Sequence, residues 1–177
     1  MALFEIKEGG HYHQWPPFST LPWVGEQRME RYVTFDASCA YDSAPYNSED
    51  VNKLFGLSFG LRGVHWNSAR FGWRWSNSDQ CIELLAYCYK HGKRNQDEQL
   101  RFPVVAQVKP GEKVALEIVY ESDGYTFCVH TEHGGYIGCT SVTAGVPADL
   151  PHYGLTHGLY FGGSQPAPHD MRLQIDR

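Results

Sequence analysis

The alternation of side-chain character from Phe55 onward most constrains how this chain folds. In ARFGWRW, spanning residues 69–75, an extended backbone sends Ala69, Phe71, Trp73 and Trp75 one way and Arg70, Gly72 and Arg74 the other. In CIELLAYCY, residues 81–89, the residues Ile82, Leu84, Ala86 and Cys88 share one face, and Glu83, Leu85, Tyr87 and Tyr89 share the opposite one. A helix would scatter both sets around its circumference. The same period of two returns at 104–108, 114–121, 125–131 and 136–140. Turn residues separate these runs: PGEK at 110–113 and SDG at 122–124, the latter predicting a hairpin between two alternating segments. Further strands are expected at 4–6, 29–35, 157–161 and 171–175. A single short helix is expected at 48–54 (SEDVNKL), with Asn47 or Ser48 as its N-cap and acids in its first turn. Many short strands at this spacing predict an all-β chain folded as an antiparallel sandwich or barrel.

Length and composition agree. With 177 residues the chain is read as one domain, 1–177. Its first 28 residues carry HYHQWPPFSTLPW, a proline- and aromatic-rich arm expected to pack on the sandwich as ordered loop. The formal net charge of -5 disfavours nucleic acid as a partner, because binding phosphate needs surplus cations. No segment is apolar for long enough to suggest a membrane span. The N-terminus lacks a basic stretch followed by an apolar run, so synthesis in the cytoplasm without a signal peptide is expected. A virion or extracellular location would then follow lysis, were the chain phage-encoded. The cysteines are Cys39, Cys81, Cys88, Cys128 and Cys139, odd in number and without CxxC spacing, which disfavours a zinc ribbon or redox motif. They read as buried free thiols. Cys128 and Cys139 fall on neighbouring predicted strands, and sequence does not establish a bridge between them.

Three segments carry a resemblance: HWNSARFGWRW (65–75), IELLAYCYKHGKR (82–94) and LYFGGSQPAPHDMRLQI (159–175). Together they resemble a group of uncharacterised bacterial or phage proteins with a concanavalin A-like jelly roll, over roughly residues 50–176. The resemblance implies an all-β antiparallel β-sandwich of jelly-roll type with one short helix at most. It says little of activity, since that fold hosts lectins, glycan-binding modules, hydrolases, lyases and virion proteins. Laminarinase-type hydrolases of this fold carry their acids as E-x-D-x-x-E, and no such run occurs here; alginate-lyase-type motifs are absent too. No catalytic residue is therefore carried over.

The residues themselves suggest a glycan-binding face. Sugars stack on aromatic rings and are oriented by planar polar groups. Arg70, Arg74, Glu83, Tyr87 and Tyr89 alternate onto one face of two successive strands, and His65 and Trp66 stand just upstream. Arg74 and Glu83 fit an ordinary cross-strand ion pair equally well. His65, Arg70, Arg74 and Tyr87 also hold the parts for β-elimination from a uronic acid, a base and a carboxylate neutraliser. Glu83 has no second acid that would complete a hydrolase pair. His11 with His13, and His130 with His133, lack a third metal ligand, and no cofactor is expected. A structural calcium ion at the closing strand would use Asp170. The leading expectation is a non-catalytic, lectin-like glycan-binding module. The alternatives are a bacteriophage decoration or receptor-binding protein, contacting copies of itself or other virion proteins, and a polysaccharide lyase acting on uronate-containing glycans.

Overall fold

The computed structural model describes residues 2–13, 21–25, 28–42, 50–96, 101–121, 124–143 and 149–176. Thirteen strands make up nearly all of its regular structure: β1 (Ala2–Ile6), β2 (Pro22–Val24), β3 (Arg28–Phe35), β4 (Asn52–Phe59), β5 (Ser68–Ser76), β6 (Cys81–Lys90), β7 (Lys93–Arg94), β8 (Val104–Val108), β9 (Lys113–Glu121), β10 (Gly124–Thr131), β11 (Tyr136–Val142), β12 (Tyr153–His157) and β13 (Met171–Asp176). Among the described residues the one helical element is a 3-10 turn at Ala37–Cys39, capped by the Asp36 carboxylate, which accepts the Ser38 N–H at 2.9 Å.

The strands form two antiparallel sheets. One runs β1-β13-β3-β9-β10-β11. The other runs β2-β12-β4-β5-β6, with both β7 and β8 paired to β6. Alternation explains their stacking. Met29, Val33 and Phe35 of β3, Leu116 and Ile118 of β9, and Phe127 and Val129 of β10 turn inward from the first sheet. Leu57 and Phe59 of β4, Phe71 and Trp73 of β5, and Ile82 and Leu84 of β6 answer from the second. The layers meet ring to ring, with Phe35 5.2 Å from Trp73 and Phe71 5.2 Å from Phe127 between centroids. Pro22 opens β2 at the outer edge of its sheet, where its missing N–H interrupts no interior ladder.

Several expectations need correction. The helix at 48–54 does not form at its C-terminal end, because residues 52–54 are the first of β4; residues 47–49 lie outside the described set. The strand expected at 157–161 sits earlier, ending at His157. Beyond His157 the ladder to β4 lapses, and Tyr160 rejoins it in the same register, exchanging backbone hydrogen bonds of 2.8 and 2.9 Å with Lys53; on its other side β4 bulges against β5 between Lys53 and Phe55. The hairpin at 122–124 is present as the pairing of Glu121 with Gly124, while Ser122 and Asp123 lie outside the described residues. Of the arm, residues 14–20 also lie outside. Cys128 and Cys139 face each other across β10 and β11 and are joined by a disulfide, so this pair is not free; Cys39, Cys81 and Cys88 are buried thiols.

β4 and β5 approach each other with no room to spare at Gly56. A Cβ there would collide with the Ala69 carbonyl oxygen and with Arg70 Cα. Gly56→Ala is therefore expected to lower unfolding free energy by about 1–3 kcal/mol, the cost of overpacking. The measurement is the urea midpoint; an unchanged midpoint would show that the strands can part at no cost.

Candidate functional site

The outward face of the second sheet is built in rungs. His157 of β12 pairs with Gly56 of β4, Gly56 with Arg70 of β5, and Arg70 with Tyr87 of β6. The next rung carries Ser58, Ser68 and Tyr89, and β7 adds Arg94 opposite Tyr89. That last placement is a product of the turn. His91 and Gly92 both adopt positive φ, 48° and 80°, as a two-residue hairpin turn requires, and this sets the β6–β7 register. Because Gly56 has no side chain, Arg70 can lie across it.

The bulge in β4 decides which face Lys53 takes. Strict alternation would put Lys53 on the core side with Phe55 and Leu57. The extra residue, Leu54, goes into the core instead, and Lys53 lies opposite Gly72 on the outward face. Its ammonium donates to the Gly162 carbonyl at 2.9 Å and lies 5.0 Å from the Tyr87 ring centre and 5.5 Å from that of Tyr160.

These residues floor a cleft of 780 Å3. Tyr12, Tyr87, Tyr89 and Tyr160 contribute to its walls; Lys53, Arg70, Arg94, His65 and His157 line it too. Among the described residues that line it, Asp50 is the one carboxylate, and its Oδ2 accepts the backbone N–H and the hydroxyl of Ser164 at 3.0 and 3.1 Å. The rest of the outward face is not an open groove. Val51, Leu85, Tyr87, Tyr89 and Phe102 form a second, smaller core there, with Phe102 stacked on Tyr87 at 4.4 Å. The glycan-binding face expected from sequence is thus reduced to the cleft.

Burial tunes the titrating groups. Lys53 is pulled down to about 7, chiefly by loss of water and further by Arg70, with Arg94 adding to it against the opposing pull of Asp50. His157 falls to about 4, by burial first and then by Arg70 and His65, so its ring is neutral; its Nε2 lies 2.8 Å from Ser58 Oγ. Tyr87 is pushed up to about 12 by burial and by its hydrogen bond to Tyr89. Tyr89 moves the other way. Burial raises it, but the Arg94 Nε–H donating to its oxygen at 3.2 Å, together with the Tyr87 hydroxyl, brings it below the ordinary phenol value.

Of the residues singled out from sequence, the cleft brings together His65, Arg70, Tyr87 and Tyr89. Trp66 is elsewhere, beneath the Arg62 guanidinium at 4.9 Å and beside His91. Arg74 and Glu83 are also outside the cleft, joined as a cross-strand ion pair at 2.6 Å. Lys53, Arg94, His157 and Tyr160 were not anticipated. A sequence signal existed for Arg94, whose position follows from reading His91-Gly92 as a hairpin turn; none existed for Lys53, which depends on the bulge. Asp170 pairs with Lys7 at 2.7 Å and accepts the Glu8 N–H at 3.0 Å. His11 Nδ1 meets the Phe161 carbonyl at 2.9 Å and His13 stacks on Phe4 at 4.9 Å. Among the described residues no group of three His, Cys, Asp or Glu side chains converges on a metal position.

No protein-family model matches this chain, and no curated protein does either. Solved structures do. A glycosyl hydrolase family protein from Mycobacterium fortuitum superposes with a TM-score of 0.51 at 16% identity, over 98% of this chain and 72% of that one. The Bacteroides ovatus GH16 protein of a mixed-linkage glucan locus, in complex with a product, gives 0.51 at 8% identity, over 98% and 77%. The chain has the jelly-roll sandwich fold. The CBM2 module of the evolved Dit from Lactobacillus casei phage J-1 scores 0.46 at 15% identity, over 88% of this chain and 64% of that one, too low to bear on architecture.

The cleft lysine gives a pH prediction. Between about 7 and its ordinary 10.5, the unfolded chain holds the Lys53 proton that the folded chain has released. The unfolded state binds more protons there, so stability rises with pH across that window. Lys53→Met removes this contribution. Urea midpoints should climb from about pH 7 to about pH 10 more steeply in the wild type than in the variant; parallel profiles would count against a desolvated amine.

Proposed function

We propose that this chain is a carbohydrate-binding jelly-roll protein that holds its glycan non-catalytically in the cleft over β4, β5 and β6. The observation that carries the reading is the composition of that cleft, in which the accessible rings of Tyr12 and Tyr160 stand beside charged and polar donors in a 780 Å3 space. Tyrosines supply broad, rigid contact for the apolar face of a sugar ring, and few rotamers are lost on binding. Hydrolysis of a glycosidic bond uses two carboxyl groups facing each other across the bond. Asp50 is a single acid, and its oxygen is engaged by Ser164. A binder suits this floor better than a hydrolase.

One feature favours a second reading, a polysaccharide lyase acting on uronate-containing glycans. Tyr89 accepts hydrogen bonds from Arg94 and from the Tyr87 hydroxyl, and both favour its phenolate. A phenolate beside cationic groups is suited to removing the proton next to a uronate carboxylate.

A glycan array probed with native protein tests the first reading. Tyr12 is 70% exposed, so Tyr12→Ala removes cleft contact without disturbing the core. Affinity for the best glycan should fall several-fold, in line with about 0.5–1.5 kcal/mol for a lost ring contact. Arg74→Ala, outside the cleft, should bind as the wild type does. Equal binding by the Tyr12 variant would move the site elsewhere. Incubation with uronate polymers tests the lyase reading through the ultraviolet absorbance of the unsaturated product. Activity lost in Tyr89→Phe supports it, and a silent wild type ends it.

A further inference from the structure

The geometry of Arg70 points to a carboxylate as the group the cleft is built to receive, and we infer that its ligand is an acidic, uronate-bearing glycan bound through the Nε–Nη2 edge of that guanidinium. The inference rests on the carbohydrate reading and narrows it to one class of sugar.

Arg70 is only 6% exposed, and its Nε and Nη2, sealed from solvent, have no hydrogen-bond partner among the described residues, so a ligand meets that edge through a turn of the guanidinium toward the cleft. These two nitrogens form one edge of the planar fork. Their N–H groups point the same way, at the spacing of the two oxygens of a carboxylate, which they bind bidentately. The flat face of the guanidinium is already occupied by the Tyr87 ring, 4.9 Å away, so the edge is what remains to be satisfied. A guanidinium does not shed its proton to escape burial, as an amine can. A buried charge left unpaired is costly, and here no described carboxylate answers it. Asp50, the one acid lining the cleft, accepts from Ser164.

The surroundings share the preference. Arg94 lines the same cleft with the same sign, and Lys53 can take up a proton beside a bound anion, so the cleft favours an anion against its one carboxylate. His157, on the same rung as Arg70, adds no competing charge. Tyr12 and Tyr160 then contact the sugar ring that bears the acid. A sulfate group can offer such an edge two oxygens as well, so a sulfated probe is set against the uronates in the test.

Calorimetric titration of native protein decides it. The probes are oligosaccharides of galacturonate, mannuronate and glucuronate, the same oligosaccharides after chemical reduction of their carboxyl groups, and a sulfated heparin-type oligosaccharide. At least one acidic oligosaccharide should bind about tenfold or more tightly than its reduced form, the scale of a charge-assisted hydrogen-bond pair. Arg70→Lys keeps the charge and loses the fork, and it should shrink that preference about tenfold. Should Arg70→Lys not fold, the comparison of acidic with reduced ligands on the wild type still decides. Equal binding of acidic and reduced forms overturns the inference and leaves the carbohydrate reading standing. Tighter binding of the sulfated probe than of every uronate also overturns it. Binding of none of these, together with a blank array, removes both.

Discussion

The sealing of Phe71 and Trp73 between the two sheets governs the rest of the molecule. A strand has a period of two, so once these rings face Phe127 and Phe35, Arg70 and Arg74 must face the other way. The outward face cannot simply be left to water, because Leu85, Tyr87 and Tyr89 share it and gather Val51 and Phe102 over themselves. The middle of the second sheet is consequently buried on both sides. Charges forced onto a face that is also covered have few places to go, and the cleft is where they collect.

Within that cleft, each group meets the cost of lost water in its own way. Lys53 holds its proton less tightly, and His157 stays neutral. Arg70 can do neither and lies flat against Tyr87 over a glycine. Arg94 remains exposed, and its Nε–H, donated to the Tyr89 oxygen, makes that phenol easier to ionise. The outcome is a pocket with fixed positive charge on Arg70 and Arg94, a neutral His157 and one engaged acid. This chemistry differs from that of a paired-acid hydrolase, although the architecture superposes on hydrolase chains over 72% and 77% of their lengths. A shared sandwich supplies two sheets and a face; the side chains on that face decide what it can bind.

Much of the fold was legible before any coordinates. The alternation in residues 69–75 and 81–89 placed the core face of β5 and β6 correctly and grouped Arg70, Tyr87 and Tyr89 by parity, with His65 added for its place just upstream. Parity also grouped Arg74 and Glu83 with them. It says which face a residue is on but not how far along the strand it lies from a partner, and those two pair with each other away from the cleft. The polar run before Leu54 suggested a helix, yet at residues 52–54 packing against β5 outweighed local preference. The bulge there also reversed the face that parity would give Lys53.

By itself, then, the amino-acid sequence determined the all-β class and the inward side of the central strands, because hydrophobic alternation is a local property repeated along the chain. Tertiary structure alone decided that most of the opposite face would be covered, that Lys53 and His157 would join Arg70, and that Cys128 would bond Cys139. Those outcomes depend on which strands become neighbours and where a ladder slips by one residue. Contacts between residues as far apart as Lys53 and Gly162 leave no periodic trace in the sequence.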